Sequence, residues 1–421
     1  MLDLEQAIHA QTERQVAHWE QASAHLVLDD LAAPLAWGRL ELYLGLSVRK
    51  HLQGVIDSLA SQARALRALH NSAHSPSALA DVRGRLIAFE RLYLRAETTL
   101  DFFADAINVR TNPQTGALLK ACDTLAHRAM AQLLDPIGKP TPVALTYLDK
   151  GRGASILKAG LRLWDGGQTC PVAVIKITHH NLLRPTALVH EAGHQVAHIA
   201  GWNEELGAAI GRALQDAGAS TSTAQAWAGW ASEIAADTFA FAHTGFASLA
   251  ALHDVLAVDP ALAFRHIPGD PHPLSYLRVL LVAEMCRHCF DAGPWDGLAA
   301  AWQALRPLAL ADGETQALVR DSLPHLRPVV RVCLEQPMNA FGGRPLRSLV
   351  QPERVSPKAL SDLAERIGPA LFTSAHWLWS EPLRIVALTG LKLALAPRDF
   401  QPILELQRQS MLRLGGALQT A

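Results

Sequence analysis

The segment His190-Glu191-Ala192-Gly193-His194 sets two imidazoles four residues apart with a carboxylate beside the first. On a helix, four residues advance about 40° beyond one full turn, so both rings leave the same face one turn apart. That spacing suits chelation of one tetrahedral zinc ion. Glu191 is placed to take a proton from an attacking water and to return it to a leaving amine. A chain with 19 histidines can also form this pattern by chance, so a second, independent element has to bear on the same chemistry.

Trp230-Ala231-Ser232-Glu233-Ile234-Ala235-Ala236-Asp237 supplies it. Its alanine-rich composition favours helix, and Glu233 and Asp237 again share one face. One carboxylate can ligate a metal while the other holds a ligand histidine through its second ring nitrogen. The combination resembles the gluzincin group of zinc metallopeptidases, in which an H-E-x-x-H helix is followed by a helix bearing E-x-x-x-D or E-x-x-A-D. The resemblance covers about residues 142–290. It implies one Zn2+ per chain held by His190, His194 and Glu233, and Glu191 as general base and acid in peptide-bond hydrolysis. Asp237 is implied as the acceptor that orients His190. The strand upstream of the motif, 172–178, is implied as the cleft edge that pairs with an extended substrate backbone.

A third element, Pro271-His272-Pro273-Leu274-Ser275-Tyr276-Leu277-Arg278, is similar to the His-Pro pair that precedes an arginine-bearing helix in several gluzincin families. His272 and Tyr276 are expected on one helix face, where either can donate a hydrogen bond to a developing oxyanion, with His272 preferred. Arg278 is expected to tie the acidic groups together. A His-Pro at a helix start can equally be a simple cap. Cys286-Arg287-His288-Cys289 lacks the second cysteine pair of a structural zinc site and reads as buried thiols. His179-His180 reads as a solvated turn, and Gly151-Arg152-Gly153 as a turn whose spacing fits no nucleotide fingerprint.

These residues need elements to position them. Residues 3–134 are helical in composition and spacing, as in Leu52, Ile56, Leu59, Leu66 and Leu69. Breaks near Ala33-Pro34, at 71–76 and at Thr111-Asn112-Pro113 divide them into roughly four long helices in a hairpin bundle. The prolines and glycine of 135–140 mark a boundary, followed by strand-like runs at 142–148, 154–163 and 171–178. Pro185 and Gly201 bracket the metal-motif helix. Further helices are expected over 203–217, 222–245, 247–256, 273–291, 294–305, 313–335, 357–373 and 380–396. The expected fold is α+β and mainly α. A helical N-terminal region (1–135) precedes a zincin-like metallopeptidase domain with a small β-sheet (136–335) and a helical C-terminal extension (336–421).

Composition narrows the functional class. A chain of 421 residues, 49% hydrophobic, can bury a core without disulfides. Lys and Arg number 38 against 39 acidic residues, which provides no electrostatic footprint for nucleic acid. The five cysteines, Cys122, Cys170, Cys286, Cys289 and Cys333, are an odd, scattered set that fits a reducing compartment. With no secretory signal pattern in Met-Leu-Asp-Leu-Glu-Gln and no apolar run of membrane-spanning length, the expectation is a cytoplasmic protein without an integral membrane segment. A peptide or protein is the expected substrate, and the helical regions are open to a regulator or oligomer contact. The competing expectation is a catalytically inert, zinc-stabilised helical scaffold or binding protein, whose mark would be a fourth protein ligand.

Overall fold

The computed structural model describes residues 4–151, 155–157 and 172–416. The fold is mostly helical with one small sheet. Two compact units are resolved, one comprising Met1–Thr111 with Ala159–Val174, the other Asn112–Lys158 with Ile175–Ala421.

In the first unit three long helices, Leu4–Ala24, Val48–Asn71 and Pro76–Asn108, pack against one another. Leu52, Val55, Ile56 and Leu59 recur at helical spacing and are all buried, as are Val82, Leu86 and Phe89 on the third helix. The Ser75 hydroxyl accepts from Ala78 N (3.2 Å) and Pro76 opens that helix. A shorter helix, Pro34–Leu44, ends at Gly45, whose φ of +66° is the left-handed geometry of a helix stop.

The second unit begins with helix Pro113–Leu134, capped by Asn112. It carries β1 (Ala144–Leu148) through one buried knot: Asp123 Oδ1 accepts from Thr146 N (2.7 Å) and Thr146 Oγ1 (2.8 Å). The sheet also contains β2 (Ser155–Leu157) and β3 (Ala173–Ile177), in the order β1-β3-β2. The run 172–178, expected at the cleft edge, is therefore the middle strand, with a neighbour on each side. β2 is an outer strand instead. Residues 154 and 158–163 of the expected second strand, residue 171 of the third, Arg152, Gly153 and Cys170 lie outside the described residues.

Helix Thr186–Ala200 carries the H-E-x-x-H motif and stops at Gly201 (φ +71°). Beside it runs Ala231–Thr244, of which every residue but Ser232 is buried. Such a helix belongs at the centre of its unit, and it brings Glu233 and Asp237 inward with it. The single helix expected over 222–245 is two, Thr221–Gly229 and Ala231–Thr244, broken at Trp230. The buried Trp230 ring packs on Trp227 (5.6 Å between centroids), and the break places Glu233 in a first helical turn. Pro324, without an N–H, splits the helix expected over 313–335 into Gly313–Ser322 and Leu326–Glu335. Gly368, at φ +64°, together with Pro369 ends Pro357–Ile367. The helices after residue 336 belong to this same unit. The last, Phe400–Gly416, packs on Pro113–Leu134, where any Cβ at Gly415 would collide with Ala117 O.

Candidate metal centre

One nitrogen of His190, one of His194 and one oxygen of Glu233 lie within 4.8 Å of one another and could hold a metal ion. The two imidazoles come from successive turns of Thr186–Ala200, with centroids 4.8 Å apart and ring planes near perpendicular. Glu233 meets both rings: Oε1 is 3.1 Å from His194 Nε2, and Oε2 is 3.5 Å from His190 Nε2. These spacings bring two imidazoles and a carboxylate close enough to hold one metal ion between them.

Close approach of the two helices makes this convergence feasible. Gly193, inside the motif, faces Ala236, and a Cβ there would stand 2.9 Å from Ala236 Cα and 3.0 Å from Phe239 Cβ. Its missing side chain lets the backbone bearing Glu233 and Asp237 come within reach of both rings.

The rings are held from behind. Asp237 Oδ1 lies 2.9 Å from His190 Nδ1, which leaves Nε2 facing Glu233. Ser232 Oγ lies 3.2 Å from His194 Nδ1. Arg278 donates through Nε to Asp237 Oδ2 (2.7 Å) and through Nη2 to Asp237 Oδ1 (2.8 Å), and Nη2 also reaches Glu233 Oε2 (3.2 Å). It is the expected tie, a buried guanidinium set between two buried carboxylates.

Electrostatics follow from this packing. Burial alone would raise the Glu233 carboxyl, but hydrogen bonds from His190 and His194 and the Arg278 charge outweigh it and hold the group ionised. Asp237 is likewise lowered against its burial by Arg278 and His190. For His190, burial pulls the ring down, yet Asp237 and Glu233 raise it to about 10. Glu191 is 7% exposed, and its burial raises its carboxyl against the opposing pull of His190 and His194.

All of these groups open on one cavity of about 520 Å³. Glu191 lies in its wall, as do Ser155 and Ile156 of β2. His272 stands at the mouth with a side chain 63% exposed; its Nδ1 is 2.6 Å from Asp270 Oδ1 and its Nε2 is 3.6 Å from Glu233 Oε1. Asp270 also accepts from His272 N (2.9 Å).

Tyr276 does not share a face with His272. Pro271 and Pro273 flank His272, and the helix starts only at Ser275, so His272 belongs to the preceding turn. The Tyr276 ring is buried against Phe264 (4.8 Å between centroids) and its hydroxyl pairs with Gln303, which takes it away from the cavity. Ser232, Asp270, Ser155 and Ile156 were not singled out by sequence pattern; only Ser232 and Asp270 sit close enough to motif residues for a polar side chain to have been a clue. No protein-family model, curated protein or solved structure matches the chain.

Proposed function

We propose that the chain is a zinc-dependent hydrolase of peptide bonds, acting at the cavity around His190, Glu191, His194 and Glu233. The observation that carries this reading is the convergence of two imidazole nitrogens and a carboxylate with a buried glutamate on the same helix, all in one cavity wall. Two nitrogens and one oxygen form a donor set typical of hydrolytic zinc sites, which keep a further position for water. When bound, such an ion supplies Lewis acidity and brings the ionisation of water towards neutral pH.

The remaining work falls to side chains of the chain itself. Asp237 fixes the His190 ring through Nδ1, and Ser232 steadies His194, so that both Nε2 atoms are aimed before any ion arrives. Glu191, its carboxyl raised by burial, is suited to accept a proton from water and pass it to the departing amine. His272, held by Asp270, presents Nε2 at the mouth, where it can hydrogen-bond the carbonyl oxygen as negative charge develops. Arg278 serves as a positioning residue, neutralising Asp237 and Glu233. A peptide is supported as substrate by β2: it lies outermost in the sheet, contributes Ser155 and Ile156 to the cavity, and has no further strand beside it among the described residues.

The test combines elemental analysis with turnover. About one zinc per chain is expected in wild type and sharply less in Glu233→Ala, while Glu191→Gln keeps the metal and loses hydrolysis of a broad peptide mixture. Equal hydrolysis by wild type and Glu191→Gln would refute the proposed role of Glu191.

A further inference from the structure

A second cavity, of about 380 Å³, lies at the far end of the central helix from the metal donors and has no lining residue in common with the first. Glu233 stands in the first turn of Ala231–Thr244, whereas Ala242 and His243, in its last turn, line the second cavity. At 1.5 Å of rise per residue the two ends are about 15 Å apart. The charged groups facing this cavity are Arg128, Arg354 and Arg384 against Asp135 and Glu381, which leaves one positive charge in excess. His243 adds none, because burial lowers its ring to about 4.

The three arginines have different duties. Arg384 serves the backbone: its Nε donates to Arg354 O (3.0 Å), its Nη2 to Ala359 O (3.1 Å), and its Nη1 lies 3.6 Å from Glu381 Oε2. It thereby fixes the turn Pro352–Val355, which is also pressed against the end of the central helix, where a Cβ at Gly245 would stand 2.7 Å from Val355 O. Arg354 gives Glu381 only Nη2 (3.1 and 3.0 Å), and its Nε and Nη1 have no partner among the described residues. Arg128 has no polar partner among the described residues at all; its guanidinium lies 4.2 Å from the centre of the Trp379 ring. Stacking covers a face of the guanidinium and leaves its N–H edge to a ligand. Arg128 is half-buried and Arg354 exposed, so both edges can be reached from solvent. Gln132 and Gln351, also in the wall, carry side-chain amides that make no hydrogen bond among the described residues.

We infer that this cavity binds a small phosphate monoester, its phosphate held between Arg128 and Arg354 and its hydroxyl-bearing body turned towards Gln132 and Gln351. The planar N–H fork of arginine matches phosphate oxygens two at a time, and a group close to dianionic at neutral pH answers the excess positive charge. Phosphate alone fills only part of about 380 Å³, and the free amides suit hydroxyl groups on the remainder. Arg384 and Trp379 hold the two guanidiniums before the ligand arrives, which lowers the cost of ordering them. The site stands apart from the hydrolytic reading, since none of these side chains touches the metal centre.

The test titrates the full chain calorimetrically with ribose 5-phosphate, inorganic phosphate and unphosphorylated ribose, with excess chelator present so that no anion binds through a metal ion. Ribose 5-phosphate is expected to saturate the protein below about 10 mM, with phosphate weaker and ribose silent. Arg128→Gln and Arg354→Gln should each weaken ribose 5-phosphate about tenfold or more at unchanged melting temperature of the free protein. Arg128→Lys, which keeps the charge and loses the fork, should also weaken it, whereas Arg83→Gln, which removes an equal charge from an exposed position in the other unit, should not. Glu233→Ala should bind as wild type does; loss of binding in that variant would assign the ligand to the metal centre and overturn the inference. No saturable binding of either phosphate compound, or binding that survives Arg128→Gln and Arg354→Gln together, would overturn it as well. Ribose 5-phosphate binding no tighter than inorganic phosphate would overturn the monoester and make free phosphate the ligand.

Discussion

Gly193 and Ala236 touch at a distance that no side chain at position 193 could share: a Cβ there would lie 2.9 Å from Ala236 Cα. The contact sits between His190 and His194 on one helix and between Glu233 and Asp237 on the other, so it sets the separation of the donor atoms.

Gly193→Ala therefore tests whether that separation matters. Alanine would gain about 1 kcal/mol of helix propensity over glycine. The clash is with backbone, which cannot rotate aside, and overpacking of this kind costs about 1–3 kcal/mol. A net loss of folding stability is expected by urea denaturation, with weaker zinc binding in a chelator competition. Ala236→Gly should not rescue it, because the atom struck is Cα. A variant as stable as wild type with undiminished zinc affinity would show that the helices can part freely.

The charge network behind the rings predicts two different failures. Asp237→Asn keeps the volume but weakens the hold on His190 Nδ1 and leaves Arg278 partnered by Glu233 alone, so zinc affinity should fall about 10- to 100-fold. Arg278→Met leaves Asp237 and Glu233 buried with only the His190 ring as a cationic partner, and stripping one partner from a buried pair costs up to about 3–5 kcal/mol. The two effects separate in a melting curve taken with excess chelator, where Arg278→Met should show the larger drop. Unchanged zinc affinity in Asp237→Asn would remove the orienting role from that carboxylate.

How far these relationships could be read in the sequence depends on how local they are. His190 and His194 are brought together by one helix, and Pro185 and Gly201 bound it, so spacing alone was enough. Glu233 and Asp237 were visible as a second pair on one face for the same reason. The outer position of β2 depends on which strands neighbour β3, a non-local choice that three short apolar runs do not encode. Tyr276 was misplaced because the helix begins after Pro273, and a shift of a few residues at a helix start turns a side chain to another face. Gly193 carried no signal beyond being a glycine, since its role exists only once Ala236 lies against it.

The Cys286 and Cys289 pair predicts inertness. Cys286 is fully buried and its thiol is pushed well up by burial; burial also raises Cys289, and separately Cys333, to about 12. Thiolate is the reactive form, so iodoacetamide at pH 8 should leave all three unlabelled in the native protein and label them after unfolding in guanidinium, as read by peptide mass mapping. Rapid native labelling of Cys289 would instead point to an accessible, reactive pair.

His243 predicts how stability responds to acid. Its ring lies within the central helix at 3% exposure, with Nδ1 2.9 Å from Phe239 O, and burial lowers its pKa from 6.5 to about 4 despite the opposing backbone carbonyls of Phe239 and Ala129. The folded protein thus keeps the ring neutral where the unfolded chain already binds a proton. A lowered folded-state pKa means the contribution is complete above about pH 6.5 and is lost as pH falls towards 4, by roughly 3 kcal/mol over the interval. The carboxylates held low by ion pairs, such as Asp254, lose theirs only at lower pH, whereas Glu191, raised by burial, and His51, lowered by it, act in the same window with opposite signs, so the His243 share is the difference between wild type and a His243 variant. Urea denaturation of the metal-free protein at several pH values should show that slope in wild type and a shallower one in His243→Leu. Parallel slopes in the two proteins would mean that the ring takes up a proton without unfolding, through a local opening at the end of this helix.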